Sequence, residues 1–576
     1  MREYIWSLKI YFKYQPMYMV LILFLYIVMY SLQPLELLLI QKLIVTLSRQ
    51  FEIFPIILFI SMFIIVYSLK NVQYSFSLLF IEILENKVGA ILQRKLFESI
   101  AKVDLCKLDQ AEYLLKIERA RDTIWYKLTS AVNDVFHFIG AIVSFGLSSL
   151  IIAKMGVLYL VAFIGVGLLQ NYFLKKNTTE NINLMKTQEH QNRKLKYLNN
   201  LIQDRNNQKE IRSFKIFNWL EEKRITKFDE IKTEYLTFSK RWSFIGGIWS
   251  GIMICLENCI FLFMCYEASI NILSIDQLIV LSQGQGQIVN GINALAEFFS
   301  DLRKNKIYIN EFQNMIKDDG NEITNKLKID EENNILELKE VSFSYGNTQK
   351  AINNINLTIQ KGEVIVLIGE NGSGKSTLSK IIAGLIKPTQ GTVLKNFSNP
   401  SAAFQDYAKF EFAVRENIGI GDVNNIEDSN KVTNALVKGQ LHNVIEKYPK
   451  GLDTILGKKF DVDGIDMSEG QWQKVSISRS FMKDADFIIF DEPSASLDAI
   501  SEIQQFLNIG KYLRGKSVVL ISHRIGIAKL ADRILFMKNG EIVEEGTHVN
   551  LMRLKEEYYG FFINQAKWYD LGDEVI

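Results

Sequence analysis

Cysteine is scarce: 4 Cys in 576 residues are too few for a disulfide framework. Proline is scarcer still by ordinary standards. The 7 present are about a quarter of the usual ~5% usage, so little interrupts long helices. With only 34 Gly beside so few prolines, a collagen-like chain is excluded. An excess of one charge is also missing. With 66 Lys+Arg against 64 Asp+Glu the net charge is +2, so no global field invites nucleic acid. What is present is 48% hydrophobic residues, enough to bury a large core and to exclude a disordered polymer. The length alone suggests about three to four domains.

These averages conceal two unlike halves. Residues 1–334 hold 38 Lys+Arg and 33 Asp+Glu, whereas residues 335–576 hold 28 and 31, so +5 is set against −3. The first half contains six runs almost free of formal charge: 14–35, 53–69, 135–153, 155–174, 242–266 and 277–296. A bilayer core of ~30 Å takes a helix of about 17–25 mostly apolar residues, and all six fit. The gaps after the first, third and fifth runs are short. The other two are about 65 residues each, charged and helix-rich, long enough to project tens of Å from a membrane. The long gaps and residues 1–13 together hold 29 Lys+Arg, but the short gaps only Lys42, Arg49 and Lys154. The positive-inside rule therefore places the long loops in the cytoplasm. Residues 1–13 have no separate apolar core or cleavage site, so they are not a signal peptide. Tyr4, Trp6, Tyr11 and Phe12 among basic residues suggest a helix lying in the interface. The expected boundaries are a membrane domain at 1–303, a connector at 304–334 and a second domain at 335–576.

From Ile335 the pattern changes to short β-rich runs separated by helical stretches, the mark of an α/β domain with a mainly parallel sheet. Residues 369–376 read GENGSGKS, between the apolar strand 364–368 and a helical stretch from Thr377. Such glycines let backbone N–H groups curl around phosphates, and the helix N-terminus adds its dipole. Gly369, Asn371, Gly372, Ser373, Gly374 and Thr377 belong to this loop. Lys375 is expected to reach the β/γ-phosphates and Ser376 to hold Mg²⁺. The strand 487–490 ends in Asp491-Glu492. Asp491 has the position for Mg²⁺, and Glu492 is placed to polarise an attacking water.

The order of further pieces resembles the ATP-binding-cassette family. SEGQ at 468–471 is similar to its signature. Gln405 stands at its Q-loop, His523 at its switch histidine, Asp498 in its D-loop and Tyr345 where an aromatic stacks on adenine. Six spans plus one cassette is the layout of a half-transporter. The resemblance implies a multidomain membrane protein, with a six-helix all-α transmembrane domain of the ABC exporter type followed by an α/β P-loop nucleotide-binding domain. It further implies ATP and Mg²⁺ as cofactors, with Gln405 among the Mg²⁺ ligands, and an ATPase coupled to transport. Ser468, Gly470 and Gln471 of one cassette would close on the nucleotide of another, so the partner is a second copy or a paralogous half-transporter in the cytoplasmic membrane. Glu469 departs from the usual Gly of the signature. It puts a carboxylate where a polyanion docks and is expected to point to solvent.

The strings at 451–474, 404–422 and 209–214, including Trp472, resemble exporters of lantibiotics and related modified peptides. The expected cargo is a small peptide, with a lipid or drug exporter as the alternative and a channel or immunity component less favoured. With the first span starting near residue 14, no room is left for a leader-trimming protease, so another enzyme is expected to remove any leader. Gln283, Gln287, Asn290 and Asn293 recur at helical spacing in the sixth run. They face either a cavity or a neighbouring helix, where Gly284 and Gly291 would permit close approach. Glu257 lies mid-way along the fifth run and must be paired, protonated or wet. Cys255, Cys259 and Cys265 read as small buried residues rather than a metal site. Each long loop is expected to turn on a short helix that touches the cassette, near 108–115 and 205–211.

Overall fold

The computed structural model describes residues 2–49, 53–317, 333–346, 350–397, 400–492, 499–523 and 525–570. They form two compact units. One comprises Met1–Ala101 with Glu112–Asp319; the other comprises Gly320–Ile576 with the short segment Lys102–Ala111.

Among the described residues the first unit is all helical, as the shortage of proline leads one to expect. Its long helices are α2 (Pro16–Arg49), α3 (Ile53–Ala101), α6 (Leu128–Met155), α7 (Val157–Gln203), α9 (Phe217–Ser269) and α10 (Ile275–Lys317). Among the described residues, five of these are long and apolar enough to cross a membrane. The sixth run lies in α10, which is continuous but outside that set. Its Gln and Asn residues lower the hydropathy, and its burial comes from packing on neighbouring helices instead. α10 contributes Ile288 and Ile292 to a core with Phe163 of α7 and Met264 of α9, and Phe298 and Phe312 to a second core with Leu92 of α3 and Phe136 of α6. Small residues set the spacing. A Cβ on Gly284 would stand 2.8 Å from Ile152 Cδ1, and one on Gly291 3.1 Å from Phe145 Cβ. The connector expected at 304–334 begins inside α10, and residues 318–332 lie outside the described set.

The N-terminal helix α1 (Arg2–Tyr14) differs from the interfacial helix expected of it. Tyr4 and Tyr11 are fully buried. Tyr4 OH donates to Asp134 Oδ2 at 3.2 Å and accepts from Asn305 Nδ2 at 3.1 Å, while Tyr11 OH pairs with Thr129 Oγ1 at 2.8 Å. Buried phenols take partners, and here α6 and α10 supply them, so both tyrosines meet protein while Phe12 stays exposed. Cys255 and Cys259 also differ from expectation, standing exposed on a run of α9 with few helix neighbours.

The second unit holds a three-stranded antiparallel sheet ordered β2-β1-β4 and a six-stranded sheet ordered β5-β6-β7-β3-β8-β9. The strands are β1 (Asn334–Ser344), β2 (Lys350–Gln360), β3 (Val364–Gly369), β4 (Gln390–Lys395), β5 (Ser401–Ala403), β6 (Phe487–Asp491), β7 (Ser517–Ile521), β8 (Arg533–Lys538) and β9 (Glu541–Gly546). In the larger sheet all pairs are parallel except β8 with β9. β6 and β7 are buried at every position, which is why they read as continuous apolar runs rather than alternating ones. Residues Lys102–Ala111 carry the first short loop helix, α4 (Leu105–Leu108), a few residues upstream of its expected place. Cys106 packs there against the core of the three-stranded sheet and β3. α5 (Ala111–Asp122) follows, and the second short loop helix is α8 (Gln208–Ser213).

Candidate functional site

Four neighbouring strand ends build the site. β5, β6, β7 and β3 lie side by side and run parallel, so the residues that follow them emerge along one edge. Gln405 follows β5, Asp491-Glu492 end β6, His523 follows β7 and the P-loop follows β3. Carboxyl ends of parallel strands are where open α/β sheets bind ligands. Here they enclose a cavity of 440 Å³ lined by Ala351, Asn371, Gly372, Gly374, Lys375, Ser376, Thr377, Gln405, Glu492 and His523. Nine of these ten were candidates from the sequence.

The P-loop geometry follows from its glycines. Gly374 has φ +102°, and a Cβ there would stand 2.5 Å from the Ala351 carbonyl oxygen, so only glycine fits. Helix α11 (Lys375–Ala383) begins at the next residue and points its N-terminal amides at the cavity. Lys375 is buried, and its Nζ donates to the Gly369 and Glu370 carbonyls at 2.8 Å each. Burial pulls this ammonium below the usual lysine range, against the opposing pull of Glu492 and Asp491. The Ser373 hydroxyl is buried in the loop with no partner among the described residues. An unpaired buried hydroxyl beside free helix amides suits an oxygen-rich anion.

At the end of β6, Asp491 is buried. It accepts from Ser379 Oγ at 3.1 Å and from Ser376 Oγ at 3.4 Å. Burial, and secondarily Glu492, push its carboxyl above the ordinary range. Ser379 was missed from the sequence; its signal is only that it lies one helical turn after Ser376. The oxygens of Ser376, Asp491 and Gln405 are the hard donors that Mg²⁺ takes. These three would hold it, and the ion would neutralise charge developing on phosphate oxygens.

Glu492 has φ +46°, a left-handed conformation uncommon for a residue with a side chain. Backbone bonds help hold it there: its N–H donates to the Ile521 carbonyl at 3.0 Å, and its carbonyl accepts from Gln473 Nε2 at 3.1 Å. The turn brings Glu492 Oε1 to 3.3 Å from His523 Nδ1.

Tyr345 is 42% exposed just beyond β1. Its hydroxyl lies 3.3 Å from Thr377 Oγ1 and its ring meets Phe343 edge-on. Asp498 lies outside the described residues. The signature residues Ser468, Gly470 and Gln471 do not line this chain's cavity. They start the helix Glu469–Met482, where Ser468 and Gln471 form a reciprocal capping box worth about 1 kcal/mol. Glu469 is turned aside by two residues the sequence reading did not single out. Lys409 pairs with its carboxylate, and Tyr407 OH donates to its Oε2 at 3.1 Å and to its carbonyl at 3.0 Å. The bond from Lys409 holds this carboxyl below the usual range, and burial, with the Glu469 contact, raises the Tyr407 phenol to about 12.

Residues 352–495 match the family model described as ABC transporter. This part of the chain is an ABC transporter domain. The ABC domain has curated relatives over a wider stretch. The chain is 34% identical over 299 residues to the subtilin transport ATP-binding protein SpaT of Bacillus subtilis, covering 49% of this chain and 47% of that one. It is 36% identical over 247 residues to the nisin transport ATP-binding protein NisT of Lactococcus lactis subsp. lactis, covering 41% of each. It is 31% identical over 302 residues to the leukotoxin translocation ATP-binding protein LktB of Mannheimia haemolytica, covering 50% and 42%. The chain thus spans less than half the length of these relatives. A solved structure described as a bacterial Atm1-family ABC exporter with ATP bound superposes over 95% of this chain and 98% of its own, with TM-score 0.76 and 18% identity. The fold is therefore that of an ABC exporter: a helical membrane unit followed by the ABC domain. The protein is a multi-pass membrane protein with its ABC domain on the cytoplasmic side.

The polar residues of the membrane unit have other neighbours. Gln287 accepts from Ser148 Oγ at 2.7 Å and donates to the Gln33 carbonyl at 2.8 Å, and Ser144 Oγ donates to Gln33 Oε1 at 3.0 Å. Asn293 accepts from Asn171 Nδ2 at 3.0 Å. Glu257 is half-buried and accepts from Gln170 Nε2 at 3.2 Å. Gln283 and Asn290 are exposed on α10.

Proposed function

We propose that this chain is one half of an ATP-driven exporter of a small, ribosomally made and modified peptide, working as a homodimer in the cytoplasmic membrane. The observation that carries the reading is the convergence of Lys375, Ser376, Gln405, Glu492 and His523 on one 440 Å³ cavity. Lys375 and the α11 amides would bind the phosphates, while Ser376, Gln405 and Asp491 would hold Mg²⁺. Glu492 would polarise the attacking water, with His523, 3.3 Å away, orienting it. Tyr345 would stack on the adenine. Ser468 and Gly470 of a second copy would close the γ-phosphate side, with Asp498 at the interface. SpaT and NisT are named for transport of subtilin and nisin, and that likeness supports a peptide cargo.

The test uses purified protein in liposomes and in inverted membrane vesicles. The expected result is Mg²⁺-dependent ATP hydrolysis that the Glu492→Gln variant lacks, with ATP-dependent accumulation of a lanthionine-type peptide inside the vesicles. Hydrolysis stimulated by a lipid or drug but not by peptide would overturn the cargo. Equilibration without accumulation would overturn pumping.

A further inference from the structure

Gln565 lies on the C-terminal helix Glu557–Asp570, outside every motif described above, yet its Nε2 donates to the His523 carbonyl at 2.7 Å. We propose that Gln565 is a positioning residue for His523, so that the C-terminal helix sets the aim of the histidine facing Glu492. The proposal rests on the hydrolytic reading of the cavity.

The physical route is short. A donor on the His523 carbonyl fixes the peptide plane that follows this residue and so restricts ψ at His523. The imidazole on the same residue lines the cavity, with Nδ1 3.3 Å from Glu492 Oε1. A side chain whose job is orientation needs such a support, because a small error in aim removes a proton-transfer contact. A neutral amide supplies the donor without placing a charge beside the site.

The helix that carries Gln565 is itself fixed. Tyr558, about two turns upstream, is fully buried. Its hydroxyl bonds His548 Nδ1 at 2.8 Å and its N–H donates to Glu544 Oε1 at 2.8 Å. Phe536 of β8 packs against both Tyr558 and Phe561. Gln565 therefore reaches His523 from an anchored element. The same helix borders the P-loop as well. Gln565, Asn564, Lys538 and Glu370 share a 770 Å³ cleft, and the Glu370 carbonyl is one of the two that hold Lys375.

The experiment compares the full-length wild type with Gln565→Ala, Gln565→Lys, His523→Ala and the Gln565→Ala/His523→Ala double variant. The readouts are ATP turnover, binding of a fluorescent ATP analogue and melting temperature. Gln565→Ala should lower kcat about two- to tenfold, the worth of one hydrogen bond. KM for ATP, analogue binding and melting temperature should stay unchanged. Gln565→Lys, which restores a donor but adds a charge, should recover only part of the rate. In the His523→Ala background the Gln565→Ala change should add nothing, because the two residues act as one. Wild-type kcat in Gln565→Ala, or an additive loss in the double variant, would overturn the positioning role alone. A wild type without Glu492-dependent turnover would overturn the hydrolytic reading and this inference with it.

Discussion

The two units spend their polar side chains differently. In the ABC domain, residues far apart in sequence converge on one cavity, because four parallel strands end along one edge and each delivers one piece. In the membrane unit, three of the polar residues that stood out are shared among helices, while Gln283 and Asn290 stand exposed. Gln287 is held between Ser148 and Gln33, Asn293 by Asn171 and Glu257 by Gln170. A polar side chain in a bilayer needs a partner whatever its role, so its presence there reports less about function than it does at a strand end.

The largest effect should fall on the converging side. Glu492→Gln keeps the shape of the side chain and removes the carboxylate. Turnover should drop at least about 100-fold, the usual span for a lost general base, while ATP binding persists. Lys375→Ala should instead abolish binding, since it removes a cation already poised by two carbonyls. Equal loss of binding in both variants would break the contrast between a chemical and a binding role within this cavity.

A smaller effect tests the signature departure. Glu469 puts negative charge at a helix N-terminus that the proposed dimer aims at phosphate, and Lys409 and Tyr407 hold it aside. Lys409→Ala should lower ATP turnover about two- to fivefold, in keeping with an exposed ion pair. Glu469→Gly in that background should restore the rate. If Lys409→Ala is silent, or if Glu469→Gly fails to rescue it, the pair has no part in the reaction.

How much was legible depended on whether a residue acts locally or through the tertiary fold. The P-loop, Asp491-Glu492 and the apolar β6 and β7 could be read because chain-local spacing dictates their geometry. Ser379 is fully buried under Asp491, yet nothing in its neighbourhood distinguishes it from any helical serine. Lys409 and Gln565 were silent because their partners lie 60 and 42 residues away. Six long helices were evident from their nearly charge-free runs, although among the described residues only five are long and apolar enough to cross a membrane. The burial of α1 was not, because the same aromatic pattern suits an interface or a protein groove, and only α6 and α10 decide between them.

The ABC domain should also respond to acid in a way its sequence does not advertise. Burial raises the Asp491 carboxyl above its usual range. A metal ligand must be ionised, so Mg²⁺-dependent ATP binding should weaken on acidification sooner than an ordinary aspartate would allow. Bound Mg²⁺ stabilises the ionised form, so saturating Mg²⁺ should move the transition to lower pH. Titrating ATP binding against pH at two Mg²⁺ concentrations checks both signs. A midpoint indifferent to Mg²⁺ would remove Asp491 from the metal's surroundings.

The smallest effects belong to the membrane unit, and they decide whether its polar residues serve packing alone. Glu257→Gln keeps an acceptor for Gln170 Nε2, so helix packing should survive with little change in melting temperature. Gln287→Ala leaves Ser148 Oγ and the Gln33 carbonyl without their partner and should cost about 1–2 kcal/mol, read as a lower melting temperature in detergent. If both residues serve packing alone, peptide accumulation per ATP hydrolysed should stay at the wild-type value in each variant. A Glu257→Gln protein with wild-type stability and basal ATPase, but with peptide no longer stimulating turnover, would put Glu257 against the cargo. The membrane unit would then hold a site as well as a scaffold.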